Sequence, residues 1–170
     1  MRLVLSRCTV RPFARDDAAS LALHANDRGV WRNLRDLFPH PYALKDAQNW
    51  LARTTQEPWT SFALEVEGAA VGGIGYEPQS DVYRHTAEIG YWLGREYWGR
   101  GIVSEAIDAF ARELFASRCM TRLEAGVYAW NPGSMRALEK AGFLREACMR
   151  KAAFKDGEFV DVMLYARVKG

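Results

Sequence analysis

Glu88-Ile-Gly-Tyr-Trp-Leu-Gly-Arg-Glu-Tyr-Trp-Gly-Arg-Gly-Ile-Val-Ser-Glu-Ala106 passes from a β-rich run into a helical one across Gly94, Gly99 and Gly101. The apolar residues up to Leu93 predict a strand over 86–93. Val103, Ala106, Ile107, Phe110 and Leu114 recur at helical spacing and predict the strongest helix of the chain over 101–117. The first turn of a helix carries unpaired N–H groups and about half a positive charge. Glycines let a backbone come close to a ligand. Strand, glycine turn and helix N-terminus together make a phosphate cradle, and Arg95 and Arg100 add positive charge nearby. A P-loop requires Gly-x-x-x-x-Gly-Lys-Ser/Thr. Gly94 and Gly99 have that spacing, but Arg100 and Gly101 stand where the lysine and the magnesium-binding hydroxyl belong. Nucleoside triphosphate hydrolysis is therefore not expected. A dinucleotide fingerprint at Gly73-Ile-Gly75 fails at Pro78. On the glycines alone, a purely structural turn stays open.

Upstream, Leu3 to Phe13 predicts a strand, and Asp16 or Asp17 a cap for a helix carrying Ala18, Leu21, Ala22 and Ala25. An aromatic segment extends from Trp31 to Tyr42, where Pro39 and Pro41 argue against a continuous helix. Residues 44–54 predict a helix with Ala47, Trp50 and Leu51 on one face. Strands are expected over 60–67 and 70–76 around a turn at Gly68, and Gly72, Gly73 and Gly75 either weaken the second or permit close backbone approach. Downstream, a strand over 121–128 precedes a helix over 131–141 ended by Gly142. Residues 143–154 and 158–168 predict a hairpin around Lys155-Asp156-Gly157. The order is that of a mixed α/β sheet with helices on its faces.

The chain has 170 residues, 49% hydrophobic and 26% charged, an ordinary composition for one domain with its own core. A net charge of +2 is too small to imply nucleic acid, and no apolar run approaches the ~20 residues that span a bilayer. Cys8, Cys119 and Cys148 are odd in number and widely spaced. They suggest neither a zinc site nor a redox pair, and a reducing cytoplasm is the simpler expectation. They read as small core residues. His24 and His40 read as structural or surface groups. No metal is expected.

Asn131-Pro-Gly-Ser134 opens the later helix, with Asn131 as N-cap and Pro132 at the first helical position. Ser134, at the third position, either bonds locally or faces a ligand.

These segments resemble the GNAT superfamily of acetyl-CoA-dependent N-acetyltransferases, and within it the RimJ/RimL-type branch of ribosomal-protein N-terminal acetyltransferases. The resembling residues are Ala87-Glu-Ile-Gly-Tyr-Trp-Leu93, Tyr97-Trp-Gly-Arg-Gly-Ile102 with Glu105-Ala106, and Asn131-x-x-Ser134-x-x-x-x-Glu-Lys-x-Gly-Phe143. Pro39-x-Pro-Tyr42, Asp46-Ala47-x-x-Trp50 and Asp156-Gly157-x-x-x-Asp161-x-x-x-Tyr165 add to them. The resemblance implies one domain over 1–170, a splayed, mostly antiparallel mixed sheet of about seven strands flanked by about four helices. It implies that the strand ending at Leu93 and the one from Thr121 part for the pantetheine arm of acetyl-CoA. Backbone near Trp92 and Leu93 would bond that arm. Trp98, Gly99, Arg100, Gly101, Ile102 and Val103 would hold the pyrophosphate, Asn131 would touch the cofactor, and Ser134 would sit near its sulfur. Two positions depart from the family pattern: Glu96 replaces the usual Arg/Gln before x-x-Gly-x-Gly, and Leu138 replaces a Tyr general acid. Ser134 matches the serine that takes that role in the RimL-like branch.

Acetyl transfer needs a neutral amine, a polarised carbonyl and a stabilised thiolate. At pH 7 neutralising an α-amine (pKa ~7.7–8.0) costs roughly 1 kcal/mol, against roughly 4.6 for a lysine (pKa ~10.4). An α-amine therefore asks little of a base, and a carboxylate acting through water suffices. Glu88 is the candidate, with a paired strand carboxylate as its alternative reading; Glu77 and His85 are further candidates. Ser134 is the candidate acid, and a backbone N–H near Leu93 would hold the carbonyl oxygen. Trp31, Arg32, Asn33, Leu34, Phe38 and Tyr42 are expected to border the acceptor, with core packing or a homodimer contact equally open. Trp59, Tyr128 and Trp130 have similarly open readings. A small-molecule amine acetyltransferase, a non-catalytic acyl-CoA sensor and a phosphate-binding structural domain are the rival functions.

Overall fold

Eight strands and five α-helices form over residues 1–55, 58 and 60–170, the part of the chain that a computed structural model describes. Trp59 lies outside the described residues. The strands are β1 (Leu3–Val4), β2 (Thr9–Pro12), β3 (Ser61–Val66), β4 (Ala69–Pro78), β5 (Thr86–Leu93), β6 (Arg122–Tyr128), β7 (Leu144–Lys155) and β8 (Glu158–Val168). The helices are α1 (Ala18–Ala25), α2 (Arg28–Trp31), α3 (Leu44–Thr54), α4 (Ile102–Ser117) and α5 (Pro132–Lys140). Hydrogen-bonded neighbours follow the order β1-β2-β3-β4-β5-β6-β8-β7. β5 and β6 run parallel, whereas the β1–β2, β2–β3, β3–β4, β6–β8 and β7–β8 pairs are antiparallel. The chain divides into two compact units, residues 1–75 with 91–106 and residues 76–90 with 107–170, and β4, β5 and α4 each run through both.

In the first unit the single strand expected over 3–13 is instead an antiparallel pair, β1 and β2, reversed at residues 5–8. The reversal occurs because the Glu105 carboxylate accepts the backbone N–H groups of both Ser6 (3.1 Å) and Arg7 (2.9 Å), which an extended strand would have given to a neighbour. The extra helix, α2, forms where Asp27 caps Gly29 and Val30 with its carboxylate (2.7 and 3.1 Å). Asp17 stands at the N-cap of α1, but its side chain accepts from Arg11 and the Ala14 N–H, and it leaves the helix end uncapped. The core packs Phe13, Ala18, Leu21, Ala25, Tyr42, Ala47, Leu51, Ala63 and Ala70, with Phe38 and Trp92 against its edge. Trp50, expected on the buried face of α3, is 36% exposed.

The second unit buries Leu123, Ala125 and Val127 of β6 and Phe110, Ala111 and Leu114 of α4. Ile102, and not the half-buried Val103, heads the buried stripe of α4. The β5–β6 ladder covers three residue pairs and stops at Glu88 and Glu124, while β6 continues along β8 to Tyr128. Gly90, just past that stop, is exposed, with nothing within 4 Å of where a Cβ would stand. α5 closes as its sequence predicts: the Gly142 and Phe143 N–H groups donate to the Glu139 and Leu138 carbonyls, both at 3.0 Å. β7 and β8 join through Asp156 (φ 54°) and Gly157 (φ 84°), a two-residue hairpin turn. β7 ends the strand order, and its register with β8 shifts between Met149 and Ala153. There Lys151 takes a left-handed φ of 50° and gives its N–H to Asp161 Oδ1 at 2.7 Å. Cys8 is buried, but Cys119 and Cys148 are exposed, against the expectation of small core residues. Cys119 lies in the connection between α4 and β6, and Cys148 on β7, the last strand in the order. Among the described residues no helix is long and apolar enough to cross a membrane, and no cluster of His, Cys, Asp and Glu is arranged to hold a metal.

A Cβ at Gly72 would stand 2.4 Å from the Trp92 carbonyl oxygen and 3.0 Å from the Leu93 Cα. Both are backbone atoms that cannot swing away. Gly72→Ala is expected to cost about 3 kcal/mol in urea unfolding, at the upper end for overpacking; a loss near zero would show that β4 and β5 separate freely.

Candidate functional site

The first unit carries the chain from β5 into α4. The Gly94 N–H donates to the Val71 carbonyl at 2.8 Å, so Gly94 and Val71 form a hydrogen-bonded pair between β4 and β5. In an antiparallel ladder such pairs alternate with non-bonded ones. Leu93 is therefore a non-bonded position, its N–H and C=O turned away from β4. Its carbonyl accepts the Trp98 indole N–H at 2.7 Å. One turn of 3-10 helix, Arg95–Tyr97, leads to Gly99 (φ 75°) and Gly101 (φ 77°), both in the left-handed region that glycine adopts without strain. α4 starts at Ile102. Among the described residues, the backbone N–H groups of Gly99, Arg100, Gly101, Ile102 and Val103 donate to no protein acceptor. The Arg100 guanidinium lies over the Tyr97 ring, 5.2 Å from its centre. Backbone donors, a helix N-terminus and a cation beside them fit a diphosphate.

Carboxylates close to this turn are tied elsewhere. Glu105, in the first turn of α4, accepts the Ser6 hydroxyl at 2.5 Å as well as the Ser6 and Arg7 amides. Burial pushes its carboxyl up, but the donors from Ser6 and Arg7 outweigh burial and hold it below the ordinary carboxylate range. Arg7 Nε also donates to the Arg100 carbonyl at 3.1 Å and packs over Gly101. The neighbouring Cys8 thiol is pushed up to about 11 by burial and then by the Glu105 charge. Glu96, at the position that departs from the family pattern, lies 3.0 Å from Nδ1 of buried His24, whose ring meets Tyr97 edge-on. His24 is thus a structural group beside the turn. None of the Glu105 or Glu96 contacts is readable from spacing, because each joins residues far apart in sequence; an acidic residue in the first turn of a helix is the one local hint.

The aromatic segment divides. Trp31, Arg32, Asn33 and Leu34 are half-buried. Trp31 stacks on His40 at 5.5 Å, and Asn33 Nδ2 donates to the Gly29 carbonyl at 2.9 Å. Phe38 bridges Tyr42 (4.9 Å) and Trp92 (5.5 Å). Tyr42 is 7% exposed and packs in the core; burial, with the Asp46 charge, pushes its phenol up to about 12.

In the second unit Asn131 caps α5 by accepting the Ser134 N–H at 3.1 Å, with Pro132 first in the helix. Ser134 is half-buried, and Leu138 is fully buried. Tyr128 and Trp130 meet edge-on at 5.7 Å. Glu88 is half-buried on β5. Glu77, on β4, is exposed. His85 faces the Cys119 carbonyl through Nδ1 at 2.9 Å; a carbonyl only accepts, so Nδ1 carries the proton and is no base.

A profile of the acetyltransferase (GNAT) domain matches residues 7–144. The ribosomal-protein-serine acetyltransferase of Escherichia coli (strain K12) is 33% identical over 107 residues, 63% of this chain and 59% of that protein. The uncharacterized N-acetyltransferase YoaA of Bacillus subtilis (strain 168) is 33% identical over 171 residues, 99% of this chain and 94% of that one. RimL, a ribosomal L7/L12 alpha-N-protein acetyltransferase solved with coenzyme A, shares the fold with a TM-score of 0.85 at 19% identity, over 98% of this chain and 96% of that one. The chain belongs to the GNAT acetyltransferase family. It is an N-acetyltransferase that takes its acetyl group from acetyl-CoA.

Because the folded Glu105 carboxyl titrates below its unfolded value, its stabilisation is complete above the ordinary carboxylate range and is lost as pH falls through the lowered folded value. The stability gap between wild type and Glu105→Gln is expected to hold steady from pH 7 to about 5 and to shrink below ~4.3. Urea midpoints across that range check it; a gap independent of pH would show that the carboxylate charge plays no part.

Proposed function

We propose that this chain acetylates the α-amine of a protein or peptide N-terminus, as one domain over residues 1–170 working in the cytoplasm. The observation that carries the donor half of the reading is the run of backbone N–H groups from Gly99 to Val103 with no acceptor among the described residues, at the start of α4 and beside Arg100. The free state of all three cysteines supports a reducing compartment.

In the first unit, the amides of Gly99 through Val103 hold the diphosphate, with Trp98 fixing the turn through the Leu93 carbonyl. The Leu93 N–H, turned away from β4, is the donor for the thioester carbonyl, and the backbone at Trp92 and Leu93 lines the pantetheine arm. Trp31, Arg32, Asn33, Leu34 and Phe38 border the acceptor, and Tyr42 supports them from the core. In the second unit, Glu88 takes the amine proton through water, the Ser134 hydroxyl donates to the departing sulfur, and Asn131 contacts the cofactor with the amide nitrogen left over from capping. Bound acetyl-CoA supplies the activated acyl group. The α-amine is favoured over lysine by the roughly 3.6 kcal/mol smaller cost of neutralising it at pH 7. The E. coli relative, named for a ribosomal-protein serine, supports a protein acceptor.

Release of free thiol from acetyl-CoA over a panel of short peptides with different first residues, amino acids, polyamines and aminoglycosides tests the acceptor. Turnover of the peptides is expected; turnover of small amines alone would overturn the α-amine reading, and binding of acetyl-CoA with no turnover would make the chain a sensor. Ser134→Ala is expected to lower kcat about a hundredfold, the lower bound for a lost general acid, with the KM for acetyl-CoA within about twofold. An unchanged kcat would remove Ser134 from the chemistry.

A further inference from the structure

Two neighbouring peptide groups at the start of α4 are held in different ways. In a planar trans peptide the N–H and the C=O point in opposite directions, so whatever binds the carbonyl also aims the N–H. The Gly101 carbonyl accepts the Glu105 N–H at 3.2 Å and the Ser104 hydroxyl at 3.0 Å, both from the first turn of α4. The Ile102 N–H of the same peptide is therefore turned out of the helix end, as the first amides of a helix are. The preceding peptide joins Arg100 to Gly101, outside the helix. Glycine takes positive and negative φ about equally well. Turning this peptide over would carry Gly101 from its φ of 77° to a negative value that glycine also accepts. The Arg100 carbonyl oxygen would then stand where the Gly101 N–H had been.

Arg7, far upstream in the β1–β2 reversal, selects one of the two orientations. Its Nε–H donates to the Arg100 carbonyl at 3.1 Å. The side chain lies against Gly101, where a Cβ would stand 3.1 Å from Nε and 3.5 Å from Cδ. Its root is fixed as well. The Arg7 backbone N–H donates to Glu105 Oε2 at 2.9 Å, and Nη1 donates to the Ser6 hydroxyl oxygen at 3.1 Å. All of these residues belong to the first unit. We propose that Arg7 is a positioning residue for the acetyl donor: by holding the Arg100 carbonyl, it keeps the Gly101 N–H aimed at the diphosphate of acetyl-CoA. The work is done by the Nε–H and asks nothing of the guanidinium charge. The proposal rests on the reading of residues 99–103 as the diphosphate cradle.

Two variants separate the hydrogen bond from the charge. Arg7→Met puts a methyl carbon where Nε stood. Arg7→Gln puts an uncharged amide nitrogen there. Arg7 is exposed and its main-chain bond to Glu105 needs no side chain, so both variants are expected to fold. Arg7→Met is expected to raise the KM for acetyl-CoA about tenfold with kcat within about twofold, the low end for losing a hydrogen bond to a charged group. Arg7→Gln is expected to restore KM to within about threefold of wild type, because the donor is back. S-Acetylpantetheine, which lacks the diphosphate, is expected to react equally well with wild type and Arg7→Met. Equal impairment of Arg7→Gln and Arg7→Met would assign the effect to charge and overturn the proposal. A loss in kcat alone, or the same loss with S-acetylpantetheine, would make Arg7 merely structural and overturn it too. Amide NMR signals test the reading underneath: those of Gly99 to Val103 are expected to shift when coenzyme A is added to wild type, and Gly101 to shift less in Arg7→Met. Signals that stay put in wild type would bring down the cradle reading and the proposal with it. If they move and Arg7→Met binds coenzyme A as tightly as wild type, the proposal alone fails.

Discussion

The closeness of β4 to β5 at Gly72 governs the course of the chain from there into α4. With no Cβ at that position, the strand backbones approach to a distance that any side chain would forbid. That contact, and the Val71–Gly94 hydrogen bond one residue further, fixes where β5 ends and which way its last peptide groups point. Leu93 then has polar groups facing away from β4, and the indole of Trp98 anchors the chain by taking one of them. From that anchor the backbone turns through two left-handed glycines and enters α4 with its first amides unclaimed. The donor set at the helix start is thus an outcome of packing two strands earlier, and no charged residue is needed to create it.

Charged residues instead decide what that geometry attracts. A helix N-terminus draws any anion, including the carboxylates of its own neighbourhood. Glu105 is in the first turn of α4, and Glu96 lies in the turn before it. The first is occupied by the Ser6 and Arg7 donors, the second by His24. Binding these groups to the rest of the first unit leaves the amides for an outside anion and ties the β1–β2 reversal to the helix. Arg11 of β2 likewise pairs with Glu65 of β3 and with Asp17, the residue that leads into α1.

Local chemistry made much of this legible. The helix stripe of α4, the Asn131–Pro132 start and Gly142 close of α5, and the Asp156–Gly157 turn all depend on residues within one turn of each other, and the structure bears them out. The cradle was readable because its glycines and helix start are contiguous, and the resemblance to the acetyltransferase family added which phosphate ligand to expect. What stayed hidden was set at long range. The split of the first strand comes from Glu105, roughly a hundred residues away, and the burial of Tyr42 from a core assembled by α1 and α3. α2 was missed because four residues give no periodic signal; only its Asp27 cap could have announced it. Glu124 carries no local signal in the sequence, and only the β5–β6 register sets it beside Glu88.

The left-handed step at Lys151 has a bearing on how this molecule behaves in a crowded solution. A terminal strand as long as β7 is a template for any passing β-segment, since its outward peptide groups have no mate. A residue turned out of the extended conformation, with its amide already given to Asp161, interrupts that row partway along. An intruding strand would pair along one half and then lose register, so edge-to-edge extension of the sheet meets a kink on its border.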